Sequence, residues 1–232
     1  MKRIILFVLI FRAGCLFAQQ TLPADNTAVE YLHGIGTQSV LYYGKQQEGH
    51  PRTSNHPYLN DAKYATARLS YCGIIYPGAM LRLDLNRNEL IILSPNYHNI
   101  VLFPENVDCA ELHGKHIIYF LRDSLPGCPS TGYYFMLHSG NFRVLEKQTA
   151  TLSVKNSGNT ALENYFSFKT NFYLYKDGVY HTVRGKGGLL KVLYPYRKEL
   201  KQFISAGRLS FRRNAEEFLV RTVSEYEKLS GL

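Results

Sequence analysis

The chain has no tryptophan and only four cysteines in 232 residues. Those cysteines, Cys15, Cys72, Cys109 and Cys128, include no closely spaced pair. That spacing excludes the zinc and redox motifs that place two thiols a few residues apart. No apolar run reaches the roughly 20 residues that a membrane-spanning helix needs. The Gly-x-Ser-x-Gly elbow of serine hydrolases is missing. So is the Gly-x-x-x-x-Gly-Lys-Ser/Thr phosphate loop. There is no internal repeat and no low-complexity segment.

The first residues suggest an export signal. Met1-Lys2-Arg3 is basic, Ile4 to Phe11 is apolar, and Ala18-Gln19 offers a small residue at a cleavage point. Residues 1–18 are therefore expected to be a cleaved signal peptide, with the mature protein in the periplasm or at the cell surface. Cys15 gives a competing reading. Ala13-Gly14-Cys15 is similar to a lipid-attachment box, but Arg12 stands where an aliphatic residue belongs. Plain secretion is the expectation, and lipidation of Cys15 the alternative.

Removal of 18 residues from 232 leaves 214, enough for one domain with a sizeable core. Its charge is uneven. Residues 19–183 carry 13 basic and 13 acidic side chains, whereas residues 184–232 carry 11 basic and 5 acidic. The basic end is a solvated helix face or a peripheral contact with an anionic membrane surface. Export argues against nucleic acid. Of the three later cysteines, Cys72 is expected to be buried and Cys128 to lie in a turn. The sequence leaves open whether any pair is bridged.

Alternation with period two dominates the middle of the chain. Ala67, Leu69 and Tyr71 alternate with Arg68, Ser70 and Cys72, and Leu81, Leu83 and Leu85 with Arg82, Asp84 and Asn86. Such alternation marks strands with one buried and one wet face. Gln38–Tyr43, Leu90–Leu93, Ile100–Phe103, Lys115–Leu121, Tyr133–Leu137 and Phe142–Glu146 add further strand candidates. Residues 44–62 are the least regular stretch. Turn residues separate the strands at Tyr76-Pro77-Gly78, Asn86-Arg87-Asn88, Ser94-Pro95-Asn96, His138-Ser139-Gly140-Asn141 and Asp177-Gly178. Nine to eleven strands joined by turns predict an α+β, mostly β protein. Its expected core is an antiparallel meander over residues 19–183, curved into a partly closed barrel or a sandwich.

Residues 184–232 switch to helical spacing. Leu189, Leu190, Leu193, Tyr196, Leu200, Phe203 and Ile204 form one apolar stripe, interrupted at Pro195 and ended at Ala206-Gly207. Asn214 and Glu217 fit a capping box opening a second helix, with Phe218, Leu219, Val223, Tyr226 and Leu229 on its apolar side. A basic C-terminal helical pair is expected to pack on the sheet.

Several residue groups invite chemical readings. His113 and His116 are the tightest histidine pair, and His50 and His56 flank a proline-rich loop, but Lys115 between the first two opposes a cation. Cys109 near His113 does not make a dyad by adjacency alone. Asp84, Glu89, Glu105, Asp108, Glu111 and Asp123 show no spacing that singles out a glycosidase pair. Gly185-Lys186-Gly187-Gly188 reads as a strand-to-helix hinge. The 18 tyrosines suit half-wet strands first and recognition surfaces second. No catalytic residue, metal ligand or cofactor site follows from these patterns.

The mature chain resembles a group of uncharacterised exported proteins of Bacteroidetes-type bacteria. The likeness lies in Ala18-Gln19, in His56-Pro57-Tyr58, in Tyr71-Cys72-Gly73, and in the helix opening Leu189-Leu190-Lys191-Val192-Leu193. That resemblance implies no activity. At the level of fold, the plan is also similar to Lol-type periplasmic lipoprotein carriers, which imply a curved sheet closed by helices around an acyl chain. The sequence thus points to a non-enzymatic envelope protein that binds or assembles with an envelope partner. The alternatives are a carrier of a lipid or other hydrophobic ligand and a hydrolase with an unrecognised site.

Overall fold

A computed structural model describes residues 39–156 and 162–231. The export signal, Cys15 and the segment before Ser39 lie outside the described residues. Eleven strands form one antiparallel sheet. They are β1 (Lys45–Gln46), β2 (Ala65–Tyr71), β3 (Ile74–Asp84), β4 (Glu89–Leu93), β5 (Asn99–Val101), β6 (Val107–Leu112), β7 (Lys115–Phe120), β8 (Gly132–Ser139), β9 (Arg143–Asn156), β10 (Leu162–Lys176) and β11 (Val179–Val183). The order is β1-β5-β4-β3-β2-β6-β7-β8-β9-β10-β11, a meander with one rearrangement at its start. Three helices follow: α1 (Lys186–Val192), α2 (Arg197–Ala206) and α3 (Ala215–Ser230).

Three hairpins turn on two residues, both at positive φ: Cys72-Gly73 (53° and 74°), His113-Gly114 (53° and 72°) and Asp177-Gly178 (51° and 78°). These are the mirror-image turns that match the twist of the flanking strands. Cys72 is therefore exposed at a hairpin tip, not buried in the strand-like run as expected. Likewise Tyr76-Pro77-Gly78 is no turn. It lies inside β3, where Gly78 (φ 81°) sits at a bulge opposite the Ala67–Arg68 step. A bulge takes one extra residue and bends the strand without ending it. Val40–Tyr42 is a 3₁₀ turn capped by Ser39, not a strand, because Ser39 Oγ accepts from the Leu41 N–H.

One face of the sheet carries two apolar cores. The first joins Leu69, Tyr71, Leu81, Leu83, Leu112, Ile117 and Phe135 to Leu41, Leu59 and Phe166. The second sets Val144, Phe172, Leu174 and Val183 against Leu189, Leu193, Leu200, Phe218, Leu219 and Val223 of the helices. Full burial of each such side chain is worth about 1.5–3 kcal/mol. The helical end therefore packs on the sheet. Pro195 lies in a 3₁₀ turn between α1 and α2, so the stripe bends there. Asn214 caps α3 by accepting from the Glu217 N–H at 3.0 Å. A smaller core lies on the opposite face, where Phe120, Tyr134, Leu145 and Tyr180 pack with Leu125 and Cys128.

The sheet stays open but curls. The β8–β9 ladder ends at the Phe135–Glu146 pair, although β9 continues to Asn156. Into the resulting gap comes the β3–β4 turn. Ala150 N–H donates to Leu85 O at 3.0 Å, and the Asn86 amide donates to Ala150 O at 2.8 Å. A strap spans part of the opening. Ser54 N–H donates to Asn164 O, and the Asn55 side chain pairs with both the N–H and the C=O of Phe166 on the outer edge of β10.

Candidate functional site

Curling brings together a polar centre that period-two alternation places on the wet side. Asp84 ends β3 and is fully buried. Its Oδ1 accepts from the N–H groups of Asn86 and Arg87, at 2.9 and 3.0 Å, and so ties the turn to the strand. Its Oδ2 takes His50 Nε2 and the Gln47 amide. Tyr58 bridges Asp84 from the other side, and the Arg82 guanidinium lies 3.8 Å from the centre of the Tyr58 ring. The His50 ring meets Tyr58 and Phe166 edge-on. The His56-Pro57-Tyr58 segment thus runs beside the end of β3, with Leu59 N–H on Leu83 O and Leu85 N–H on Pro57 O.

A His–Asp pair is the base half of a nucleophile triad. Among the described residues no serine, threonine or cysteine bonds to His50. What the pair does here is hold loop 44–62 on the sheet.

A second centre lies in the β8–β9 gap. Lys147 is buried, and its Nζ donates to Asn88 Oδ1 at 2.6 Å and to Tyr133 O at 3.0 Å. Asn88 Oδ1 also accepts from the Tyr133 N–H at 3.0 Å. The amine stands in for ladder bonds that β8 and β9 no longer make. No carboxylate pairs with it among the described residues, and burial depresses its pKa to about 8. Burial also pushes the neighbouring Tyr134 hydroxyl up to about 12.

Two further half-buried sets of charges tie α3 down. Lys115 bridges Glu146 at 3.0 Å and Glu216 at 2.8 Å, at the seam between the two cores. Burial alone would lower the Lys115 pKa, but its bonds to Glu216 and Glu146 raise it. His138 meets Glu227 at 3.0 Å, and the second oxygen of Glu227 accepts from the Phe142 N–H.

The histidines flagged by spacing do not converge. His113 occupies a hairpin turn, and His116 is exposed on β7. Among the described residues no group of three His, Cys, Asp or Glu side chains is placed to hold a metal ion. Cys109 and Cys128 are half-buried free thiols, and burial raises the pKa of each. Nothing local marks Glu146 and Lys147 as buried in the polar sequence of β9, and alternation sets Asp84 on the wet side.

The remaining candidate is a surface. Beyond the Ala150 contact, β9 and β10 continue as a two-stranded ribbon. One face carries Leu152 (42% exposed), Val154 (58%) and Phe168 (53%). The opposite face carries Thr151, Ser153 and Ser167, with Ser153 Oγ and Ser167 Oγ 3.2 Å apart. Ala150 turns its backbone groups away from β10, so Leu152 and Val154 do the same by alternation. Among the described residues the ribbon thus offers apolar side chains beside a free backbone edge. No family model, curated protein or solved structure matches the chain.

Proposed function

We propose that this chain is a non-enzymatic binding or assembly protein of the cell envelope, and that it receives an extended apolar segment of a partner protein on the β9–β10 ribbon. The exposed Leu152, Val154 and Phe168, beside a β9 edge that is unpaired among the described residues, carry this reading. An unpaired edge accepts an added strand, and alternate side-chain contacts give it specificity. The β10 edge of the ribbon already carries the strap at Asn164 and Phe166, so the added strand would pair along β9. The carrier alternative has less support, because Leu41, Leu59, Phe166 and the helices fill the apolar face from within.

The test is site-specific photo-crosslinking in cells from positions 152, 154 and 168, with 151 and 153 on the polar face as controls. One discrete adduct from the apolar positions, lost in Leu152→Asp/Phe168→Asp with unchanged thermal unfolding, is expected. Equal labelling from both faces, or none from the apolar one, would overturn the proposal.

A further inference from the structure

The two halves of the helical end treat their charges differently. On α3, Glu217 pairs with Arg221, Glu225 with Lys228, Glu216 with Lys115 and Glu227 with His138. Residues 184–213 hold nine basic side chains, namely Arg184, Lys186, Lys191, Arg197, Lys198, Lys201, Arg208, Arg212 and Arg213, and one acid, Glu199. All nine are exposed, and none makes an ion pair among the described residues. Leu189, Leu190, Leu193, Leu200 and Ile204 face the core, so the cations on α1 and α2 are turned outward. A field with nine cations and a single acid, Glu199, attracts an anionic partner.

At its centre Tyr194 (71% exposed) and Pro195 stand in the turn between α1 and α2. Together with Arg197, Lys198, Glu199 and Lys201 they line an open depression of about 540 Å³. An exposed tyrosine ringed by cations suits a lipid headgroup layer, where the ring sits at the interface and the cations meet phosphates.

We infer that the α1–α2 face docks this protein on a membrane surface rich in anionic lipid, with Tyr194 entering the headgroup layer. The docking is peripheral and reversible. It uses a surface separate from the β9–β10 ribbon.

The test is co-sedimentation of the mature protein with vesicles of phosphatidylcholine, alone and with about a third phosphatidylglycerol. Binding is expected only to the anionic vesicles, and it weakens as salt is raised. Arg197→Gln/Lys198→Gln/Lys201→Gln should lower the partition coefficient about 100-fold. Lys63→Gln/Arg68→Gln/Lys169→Gln removes equal charge elsewhere and should change it by less than about threefold. Tyr194→Ala should weaken binding while leaving the salt dependence as it was. Near-ultraviolet circular dichroism confirms that each variant is folded. Three results would overturn the proposal: equal loss in both triple variants, displacement by millimolar inorganic phosphate, or tighter binding to duplex DNA at the same ionic strength.

Discussion

Lys147 makes stability depend on pH in a way that can be isolated. The amine is buried between Asn88 and Tyr133, with its pKa lowered from 10.5 to about 8. In the unfolded chain it regains its ordinary value. Between those two values the unfolded state binds a proton that the folded state does not, so stability rises with pH across that window. Below pH 8 the buried charge is fully present and costs about 3 kcal/mol, and above 10.5 the cost is gone. Lys147→Met keeps the side-chain length and removes the titration. It also gives up two hydrogen bonds, worth about 1 kcal/mol each. The variant should therefore be slightly more stable than wild type near neutrality and less stable by about 2 kcal/mol at high pH. Urea unfolding of both proteins at a series of pH values measures this. Subtraction removes effects common to both, such as ionisation of tyrosines released on unfolding. A wild-type-minus-variant difference that stays flat between pH 7 and 10.5 would refute the reasoning, since the buried amine would then not be titrating in that range.

Asp84→Ala should destabilise by about 3 kcal/mol in urea melts, because the Asn86 and Arg87 N–H groups, Gln47 and His50 all lose an acceptor in a buried site. Limited proteolysis should then cut loop 44–62 faster than in wild type. Glu146→Ala should cost about 1.5–3 kcal/mol, because Lys115 loses its buried partner and keeps only the half-exposed Glu216, whereas Lys115→Met/Glu146→Leu should recover most of that loss in the same assay. Gly127→Ala should lower the thermal midpoint, since φ there is 69° and a Cβ would overlap the Tyr180 carbonyl. An unchanged midpoint would mean that this loop does not pack on β11.

Leu81–Leu85 and Asp177-Gly178 show how much of the fold was legible locally. Alternation and turn residues act between chain neighbours, so they specify strands and hairpins before anything long-range forms. The helical stripe, the break at Pro195 and the Asn214 cap are legible for the same reason. The strand β6 and the long arms of β9 and β10 were missed. In β6 a bulge opposite the Ser70–Tyr71 step breaks the alternation between Val107 and Ala110, and on the arms of β9 and β10 the apolar Leu152, Val154 and Phe168 stand among exposed polar residues with no core to pack on. Burial of Cys72 follows neither from the alternation, which sets it with Arg68 and Ser70 on the wet side, nor from the two-residue turn that it opens.

The candidate surfaces divide along the same line. The excess of cations in residues 184–213 is a property of composition, visible without any structure. That none of them is paired among the described residues depends on where the acids of α3 point, and that Arg197, Lys198 and Lys201 line a depression with Tyr194 depends on the turn between α1 and α2. The sequence alone determined the strand periodicity, the hairpin turns, the helical end and its charge, because each depends on contacts a few residues apart. Only the tertiary structure decided that Asp84, Glu146 and Lys147 are buried and that the β9–β10 ribbon extends past its neighbours. Those outcomes rest on partners brought together by the curl of the sheet: His50 on Asp84, Asn88 on Lys147 and Asn55 on Phe166. The sequence separation of such partners leaves no local pattern, and the geometry that joins them exists only once the sheet has closed toward itself.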